Sequence, residues 1–367
     1  MADSIASPIA GPIAVTLGDP NGIGPEIVLK ACAAPALAPA LRERLLVVGD
    51  PALLAREAAR LSLPMPPRIE PLACTTEGAA TAVESAAATA GTAARTAPLA
   101  EFLPGRIDAR AGHAAWRFVV HAARMALAGQ AAAVVTAPLS KEAMHAAGHD
   151  YPGHTELLAE LADGADVRMM LANDELRTVL VSIHLSLREA IERVTRQNVL
   201  STIAITHTAL LRAGIARPRI AVAGLNPHAG ESGAFGREEL EAIAPAVADA
   251  RARGIDASGP FAPDTVFMRA RGFRKFDAVV AMYHDQGLIP VKYLGLEEGV
   301  NITIGLPFVR TSPDHGTAFD IAGRPGPDGR GLADPRSMLA AIRRAAELAG
   351  ISPCAGAPHP AGAAARP

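Results

Sequence analysis

Residues 111–140 read AGHAAWRFVVHAARMALAGQAAAVVTAPLS, and this stretch decides the fold class. Its first part, 111–129, carries apolar residues at the spacing of one helical face, which predicts an amphipathic helix. The part that follows, 131–140, is an apolar run that ends in a loop at Thr136–Ser140, which predicts a buried strand. A helix that leads directly into a buried strand is typical of α/β proteins.

The same alternation extends in both directions along the chain. Upstream, strands are predicted at 12–19 and 44–50, and the helix between them begins near Pro25. Downstream, the patterns predict a strand pair at 168–187, helices at 191–214 and 237–254, strands with loops at 219–231 and 277–287, and a last helix at 335–350. The sequence therefore predicts an α/β architecture with sheets covered on both faces, and polar motifs at the strand ends.

Composition limits the classes of function. The chain has 367 residues, 50% of them hydrophobic, which is enough for two lobes with large buried cores. The net charge of −2 and the 4% aromatic content argue against nucleic acid and anionic lipid as partners. The Ala/Thr-rich segment 73–100 is predicted to be a variable surface segment, and the Pro/Ala-rich tail 351–367 is predicted to be disordered.

The cysteines and the N-terminus bear on the compartment. Cys32, Cys74 and Cys354 are too few and too scattered for a disulfide framework or a thiolate metal site, which fits a reducing cytoplasm. The N-terminus shows no basic region followed by a long apolar region, so no signal peptide is predicted. No apolar run approaches the length that spans a bilayer. We therefore expect a cytoplasmic protein with no membrane partner.

The stretch that carries most of the functional signal is 281–323, AMYHDQGLIPVKYLGLEEGVNITIGLPFVRTSPDHGTAFDIAG. VNITIGLPFV is predicted to be a buried strand that ends in Arg310, and LIPVKYL a short strand that contains Lys292. With Asn301, these two cations are candidates for binding an anion, because Lys offers a point charge and Arg a bidentate fork. The alternative is that the two cations are ordinary surface charges.

Three histidines occupy similar positions in the pattern. His184, His228 and His284 each follow an apolar strand. Three neutral imidazoles that converge make a good site for a divalent metal such as Zn²⁺, Co²⁺ or Ni²⁺, whereas a single histidine is more often a hydrogen-bonded structural residue. Spacing this long does not establish convergence. The nearby carboxylates could ligate the metal or orient the rings; they are Glu231, Asp264 and Asp285.

Two further motifs have both a structural and a functional interpretation. In GHTE (153–156), His154 and Thr155 precede a helix, so Thr155 suits an N-cap, and a helix N-terminus with these side chains could equally bind an anion. LGDPNGIGPE (17–26) has three glycines but neither the dinucleotide nor the P-loop spacing, so a tight strand-to-helix turn explains it fully.

Signatures of other enzyme classes are missing from the sequence. There is no GxSxG elbow, no HExxH helix and no paired-cysteine motif. A metal held by three histidines could still activate water, so a metal-dependent hydrolase stays open on chemistry alone.

Taken together, the motifs over residues 17–323 resemble the family of 4-hydroxythreonine-4-phosphate dehydrogenases of pyridoxal phosphate biosynthesis. The motifs that carry this resemblance occur in order and are GDPNGIGPE, TAPLSKE, GHTE, HLSL, GLNPHAGE, PDT, MYHDQGLIPVK and GVNITIGLPFVRTSPDHGTAFDIAG. More distantly, GIGPE and HGTAFDIAG resemble the isocitrate and isopropylmalate dehydrogenase fold. The resemblance implies two α/β/α lobes with a cleft between them, the first at 1–146 with 306–367 and the second at 147–305.

The resemblance also implies roles for residues that match the family's motifs. The divalent-metal ligands would be His184, His228 and His284; the substrate contacts would be His154, Thr155, Lys292, Asn301 and Arg310. The family is a homodimer with its active site at the interface, so the partner chain could supply His284 to the site. Weaker candidates for binding NAD or NADP lie in the HGTAFDIAG loop and are His315, Gly316, Thr317 and Asp320.

The implied reaction agrees with the chemistry of these residues. The expected activity is metal-dependent, NAD(P)-linked oxidation of 4-phosphohydroxy-L-threonine at C3, followed by decarboxylation to 3-amino-2-oxopropyl phosphate. The metal could be Zn, Co, Mg or Ni. The general base is open among Asp264, Asp285 and Lys292.

Related activities would use the same metal ligands. Sister branches of the family oxidise 4-phospho-D-threonate, 4-phospho-D-erythronate or aromatic cis-dihydrodiols such as the terephthalate diol. Two different classes are the metal-dependent hydrolase, which would need no NAD(P)⁺, and a catalytically silent binding protein. The intact set of ionisable residues argues against the last.

Overall fold

The structure is a computed structural model that describes residues 11–74, 102–295 and 298–351. The chain divides into two compact units. Of the described residues, those from Gly11 to Asp163 and from His315 to Ile342 form the first unit, and those from Gly164 to Asp314 and from Arg343 onward form the second. The segment 73–100, predicted to be variable, lies outside the described residues from 75 onward, and the tail 351–367, predicted to be disordered, does so from 352 onward.

The first unit contains a parallel sheet flanked by helices. Its strands run in the order β3-β2-β1-β4 and are β1 (Ile13–Thr16), β2 (Leu45–Gly49), β3 (Ile69–Pro71) and β4 (Ala133–Thr136). Its helices are α1 (Gly24–Ala33), α2 (Pro39–Glu43), α3 (Pro51–Leu61), α4 (Ala109–Leu127), α5 (Lys141–Ala146) and α6 (His154–Leu161). Strand β1 is buried along its whole length, which explains why IAVT has no polar face.

The second unit contains a mixed sheet. Its strands run in the order β11-β10-β5-β6-β9-β7-β8 and are β5 (Arg168–Ala172), β6 (Arg177–Leu180), β7 (Ile220–Ala223), β8 (Ala257–Phe261), β9 (Ala278–Ala281), β10 (Val300–Ile304) and β11 (Val309–Pro313). The pairs β6-β9, β9-β7 and β7-β8 are parallel, and the pairs that join β11, β10, β5 and β6 are antiparallel. Its helices are α7 (Leu187–Glu192), α8 (Arg196–Arg212), α9 (Ala244–Ala252), α10 (Pro263–Ala270) and α11 (His284–Leu294). The last helix, α12 (Arg336–Leu348), begins in the first unit and ends in the second.

The α/β class predicted from 111–140 is confirmed. Helix α4 begins after Asp108, whose side chain accepts a hydrogen bond from the Arg110 backbone N–H, and its apolar face, which includes Phe118 and Val119, is buried. The described helices include none that is long and apolar enough to cross a membrane.

The two units change over at 163/164 and 314/315, whereas the sequence placed the lobe boundaries after 146 and 305. Helices α5 and α6 pack against α4, and His149 Nε2 lies 2.8 Å from His113 Nδ1 on α4, so this segment stays with the first unit. Strand β11 pairs with β10, which keeps Val309–Pro313 with the second unit.

The predicted strand around Lys292 is wrong, because this segment is helix α11. Gly287, Leu288 and Val291 are buried at helical spacing, and the last two pack into the apolar core of the second unit. Pro290 lies inside the helix. The residues of LIPVKYL favour a strand by intrinsic propensity, but tertiary packing of the helix outweighs that propensity.

The single strand predicted for VNITIGLPFV is also wrong. The segment forms a hairpin in which β10 and β11 are antiparallel, and Gly305 turns the chain with a φ of 96°. Arg310 lies within β11, directly opposite Thr303, and not at a strand end. Gly and Pro in GLP were the signals of a turn.

Three predictions about helices need correction. The helix predicted at 191–214 is two helices, because Thr195 caps a new helix by accepting a hydrogen bond from the Asn198 backbone N–H. Helix α6 starts at His154, and its N-cap is Gly153, so Thr155 is not the N-cap. In 237–254 a π-helical turn, Glu239–Ile243, precedes α9.

Candidate active site

The three histidines predicted as metal ligands follow neighbouring strands of the second unit. His184 comes after β6, His284 after β9 and His228 after β7. Since β9 pairs in parallel with both β6 and β7, all three loops leave the same edge of the sheet. Loops at the carboxyl ends of parallel strands are where α/β proteins bind ligands.

Two of the three histidines are close together. The ring centroids of His184 and His284 are 5.9 Å apart, and both side chains line one cavity of about 300 Å³. The Nδ1 atom of His284 lies 2.6 Å from an Asp285 carboxylate oxygen, a contact that orients the imidazole ring. The cavity walls also include apolar side chains, among them Ile183 and Leu187.

His228 does not join this pair within one chain. It is exposed, its ring faces Phe235 at 6.2 Å, and it begins a left-handed segment, His228–Ser232, with its own φ at 53°. Residues 11–74, 102–295 and 298–351 contain no group of three His, Cys, Asp or Glu side chains that could hold a metal.

The predicted carboxylates are placed differently from one another. Asp285 contacts His284, as described above. Asp264 lies exposed in the first turn of α10, and Glu231 lies exposed in the left-handed segment His228–Ser232. Of the three, Asp285 is therefore the carboxylate with a demonstrated contact to a histidine.

Two anion-binding candidates lie on one face of the β10–β11 hairpin. Asn301 is opposite Ser312 and Thr303 is opposite Arg310, so all four side chains share a face. Arg310 is 2% exposed and donates a hydrogen bond from Nη1 to Thr303 Oγ1 at 2.9 Å. The buried Oδ1 of Asn301 has no hydrogen-bond partner among the described residues. An unused buried acceptor beside a buried guanidinium fits a polar ligand.

Lys292 forms an ion pair that the sequence did not predict. Its Nζ lies 3.0 Å from Asp314 Oδ2, and Asp314 directly follows β11. Asp314 was not among the candidates, although it stands in the RTSPDH segment. An anion that binds Lys292 would therefore compete with this carboxylate.

His154 and Thr155 belong to the first unit. They are the first two residues of α6, and both are partly buried. The N-cap residue of α6 is Gly153, which has no side chain to accept a hydrogen bond from the first backbone N–H groups of the helix.

The cofactor candidates of the HGTAFDIAG loop lie against the turn after β1, which contains the LGDPNGIGPE motif. The Ile23 N–H donates to Thr317 O at 3.0 Å, and a Cβ added at Gly22 would lie 3.0 Å from Thr317 Cβ. His315, Gly316 and Asp320 are exposed beside this contact. Two motifs that are some 300 residues apart in the sequence thus meet in the first unit.

The turn after β1 holds an unusual carboxyl group. Asp19 is fully buried, and burial raises its pKa to about 7 although the Asn21 backbone N–H donates to it and lowers the pKa. Asp19 Oδ2, Asn21 Oδ1 and Thr16 Oγ1 are buried without hydrogen-bond partners among the described residues.

A cavity of about 530 Å³ opens beside the cofactor loop. Its lining residues are Pro104–Arg106, Phe319 and Ala322–Pro325. Neither the Arg106 nor the Arg324 guanidinium forms an ion pair with a described residue. The sequence did not point to these arginines, because each lies in a Gly/Pro-rich loop without a phosphate-binding spacing.

Comparison with known proteins identifies the family. The family model described as "Pyridoxal phosphate biosynthetic protein PdxA" matches residues 42–345. The chain is 51% identical to a 4-hydroxythreonine-4-phosphate dehydrogenase of Beijerinckia indica, over 92% of this chain and 95% of the relative.

The chain belongs to the PdxA family. The family resemblance inferred from the motifs is thus confirmed, and the relatives of this PdxA chain are named as dehydrogenases. It is also 46% identical to a D-threonate 4-phosphate dehydrogenase of Salmonella typhimurium, over 92% of this chain and 98% of the relative. Among solved structures, a 4-hydroxythreonine-4-phosphate dehydrogenase from Klebsiella pneumoniae is 42% identical with a TM-score of 0.77, covering 93% of this chain and all of that one.

Proposed function

We propose that this PdxA chain oxidises 4-phosphohydroxy-L-threonine at C3 with NAD⁺ or NADP⁺ and releases CO₂ to give 3-amino-2-oxopropyl phosphate. The observation that carries the proposal is the face of the β10–β11 hairpin, where buried Arg310 and the unpartnered Asn301 oxygen lie in the same unit as the histidine loops. A phosphorylated amino acid presents both the anions and the donors that such a face binds.

The histidines are the proposed metal ligands. His184 and His284 face one cavity, and imidazole nitrogens suit Zn²⁺, Co²⁺ or Ni²⁺, with Mg²⁺ a further candidate, so the residues fit a divalent ion. A bound ion would supply Lewis acidity at the substrate oxygens, which would favour both oxidation at C3 and decarboxylation. Asp285 holds the His284 ring through Nδ1.

A homodimer would complete this set of ligands, because one chain brings two of the three histidines together. Large apolar side chains of α7 and α11 are exposed in the single chain, notably Leu187 at 58%, Ile289 at 63% and Tyr293 at 91%. Exposed apolar patches of this kind favour burial against another protein surface. We propose a second copy of the chain as that partner.

Lys292, Asn301 and Arg310 are the proposed substrate contacts of the second unit, and His154 and Thr155 those of the first. The general base is one of Asp264, Asp285 and Lys292. Contact with a proposed ligand favours Asp285, which lies against His284, whereas Lys292 is paired with Asp314.

NAD⁺ or NADP⁺ is proposed to bind the first unit. His315, Gly316, Thr317 and Asp320 are the proposed contacts, and the adjoining cavity with Arg106 and Arg324 suits the phosphates of a dinucleotide. A bound nicotinamide cofactor would supply the hydride acceptor, and these loop residues would orient it.

The second candidate is oxidation of 4-phospho-D-threonate. Relatives named for that activity match the chain over the same share of its length as the 4-hydroxythreonine-4-phosphate dehydrogenases. Both substrates carry a phosphate and a hydroxyl, so the hairpin face suits either. A cis-dihydrodiol lacks the phosphate that both of these substrates carry.

The test is the rate at which reduced cofactor appears with each substrate, before and after chelation and with metal restored. We expect metal-dependent reduction with 4-phosphohydroxy-L-threonine. Exclusive activity on 4-phospho-D-threonate would move the chain to the second candidate, and turnover without NAD(P)⁺ would indicate the hydrolase class.

His228→Asn is the matching variant, because Asn tolerates the left-handed backbone that position 228 requires. It should lose metal and turnover while it stays folded. Gln197→His, at an exposed position of α8, is the control for a changed histidine count, and it should behave like wild type. Full activity of His228→Asn would contradict the assignment of His228 as a ligand.

A further inference from the structure

A hydrogen bond joins the loops that follow β6 and β9. Ser182 Oγ donates to Met282 O at 3.0 Å, and Ser182 is 6% exposed. These two residues stand two positions before His184 and His284. The bond therefore fixes the distance between the backbones that carry these histidines.

Gln286 joins the same region to the loop after β7. Its Oε1 accepts from the Met282 N–H at 2.7 Å, and its Nε2 donates to Gly224 O at 2.8 Å. Gln286 lies two residues after His284, and Gly224 lies four residues before His228. One amide side chain thus bridges the loops of two proposed ligands, using both its acceptor and its donor.

Glu239 holds the loop after β7 from the other side. Its carboxylate is 3% exposed, and it accepts from the backbone N–H groups of Leu225 at 2.8 Å and Asn226 at 2.7 Å. It also accepts from Asn226 Nδ2 at 2.9 Å. A Cβ at Gly224 would lie 3.0 Å from Glu239 Oε1, and a Cβ at Gly230 would lie 2.6 Å from Oε2. The loop is closed around this carboxylate.

This loop needs such support because its backbone is unfavourable. From His228 to Ser232 all five residues have positive φ, and four of them are not glycine. L-residues rarely adopt this conformation, and it persists only where the surroundings hold it. Glu239 supplies hydrogen bonds directly before the segment and packs against Gly230 within it.

We infer that Gln286 and Glu239, with Ser182, are positioning residues that set where the three histidines stand, an inference that rests on the metal role in the proposed function. None of the three would touch the metal. They lie within one subunit and position each loop there, whether the ligands of one ion come from one chain or from two copies. Removing one should weaken metal binding, as the loss of a ligand's supporting hydrogen bond does elsewhere.

The test is a titration of the apo-protein with Co²⁺, followed by the visible absorption of the bound ion. Gln286→Met keeps the side-chain length and removes both hydrogen bonds, and we expect Co²⁺ affinity to fall by about 10- to 100-fold. Glu239→Gln and Ser182→Ala should fall by about 10-fold or less, and the Co²⁺ spectrum of Glu239→Gln should change because His228 moves. Glu241→Gln is the control, since Glu241 is exposed on the same helical turn and pairs with Arg237.

A second measurement separates positioning from general damage. Excess metal should restore most of the turnover of Gln286→Met but none of that of His228→Asn. If Gln286→Met does not fold, Ser182→Ala and Glu239→Gln carry the test. Wild-type Co²⁺ affinity and spectra in all folded variants would overturn the inference, whereas a wild-type protein that binds no Co²⁺ would instead contradict the metal role in the proposed function.

Discussion

Two regions of the molecule lie at the carboxyl ends of parallel strands: the loops after β6, β9 and β7 in the second unit, and the turn after β1 in the first. They differ in whether their buried polar groups have hydrogen-bond partners. In the second unit, Gln286 and Glu239 have partners for the side-chain oxygens that hold the loops. In the first unit, Asp19, Asn21 and Thr16 each keep a buried oxygen with no partner among the described residues.

The difference shows where protonation can act on this molecule. A buried carboxylate that accepts several N–H groups holds the backbone that donates them, so the Glu239 loop is a scaffold. A buried carboxyl with one oxygen unused favours its neutral form, and the pKa of Asp19 accordingly rises to about 7. We therefore expect pH near neutrality to act on the β1 turn.

The largest expected effect is the pH dependence that Asp19 confers. Because burial raises its pKa from 3.8 in the unfolded chain to about 7, the folded state holds a proton that the unfolded state has released. This contribution to stability is complete below about pH 4 and is lost as pH rises towards and through 7, by up to about 4 kcal/mol. Asp19→Asn keeps an acceptor for the Asn21 N–H and does not titrate, so its stability relative to wild type should rise with pH.

The measurement is the free energy of unfolding by urea for both proteins from about pH 5 to about pH 8. Asp108→Asn serves as the control, because Asp108 is the carboxylate whose charge further raises the Asp19 pKa. It should reduce the slope only slightly. A difference between Asp19→Asn and wild type that does not change with pH would contradict the buried, titrating Asp19.

The next largest effect tests the Glu239 loop by steric means. In Gly230→Ala the new methyl group would overlap Glu239 Oε2, and the alanine backbone would have to adopt a φ of 79°. We expect a loss of about 3 kcal/mol in the free energy of unfolding, from left-handed strain and overpacking together. Gly214→Ala is the matched control, since its φ is 83° and no atom lies within 4 Å of the added Cβ.

The control should lose only the strain, about 1 kcal/mol. Equal losses in the two variants would mean that the loop yields around Glu239, and the scaffold would then be weaker than its hydrogen bonds indicate. Urea unfolding of both variants at one pH is sufficient for this comparison.

Much of the molecule followed from local pattern, and the failures have physical causes. The helix at 111–129 and the strands before the three histidines were predicted correctly, because the periodicity of their apolar residues matches the pattern of burial. Lys292 was misplaced because Leu288 and Val291 gain more from helical packing than LIPVKYL gains as a strand. Convergence of His184 and His284 depends on strand order, which sequence spacing does not encode.

The supporting residues of the site were missed for a related reason. Gln286 and Glu239 are residues commonly found near the start of a helix, so the sequence gives no sign of their role. Their role is visible in the structure, where Gln286 hydrogen-bonds to Gly224 and Glu239 to Asn226. The glycines of GLNPHAGE were a usable signal, since clustered glycines predict backbone in a left-handed conformation or in close contact.

The smallest expected effect concerns a second titrating group in the first unit. On α4, His113 Nδ1 lies 2.8 Å from His149 Nε2, and the His149 ring stacks on Trp116 with centroids 4.1 Å apart. Burial lowers the pKa of His113 to about 4, with further lowering by His149 and Arg117, and burial also lowers the pKa of His149.

Stability from this pair has the opposite sign to that from Asp19. A depressed histidine pKa means that the unfolded chain binds protons first, so the contribution is complete above about pH 6.5 and is lost as pH falls towards about 4. His149→Phe keeps the stacking on Trp116 and removes one of the two imidazoles. Its thermal midpoint should lie below that of wild type near neutrality, and the gap should narrow by the equivalent of about 1 kcal/mol towards pH 5, a value reduced for the partial exposure of the pair. Midpoints that run parallel for the two proteins from about pH 7 to about pH 5 would show that the imidazole pair contributes packing alone, which would leave Asp19 as the group in the first unit through which pH acts on stability.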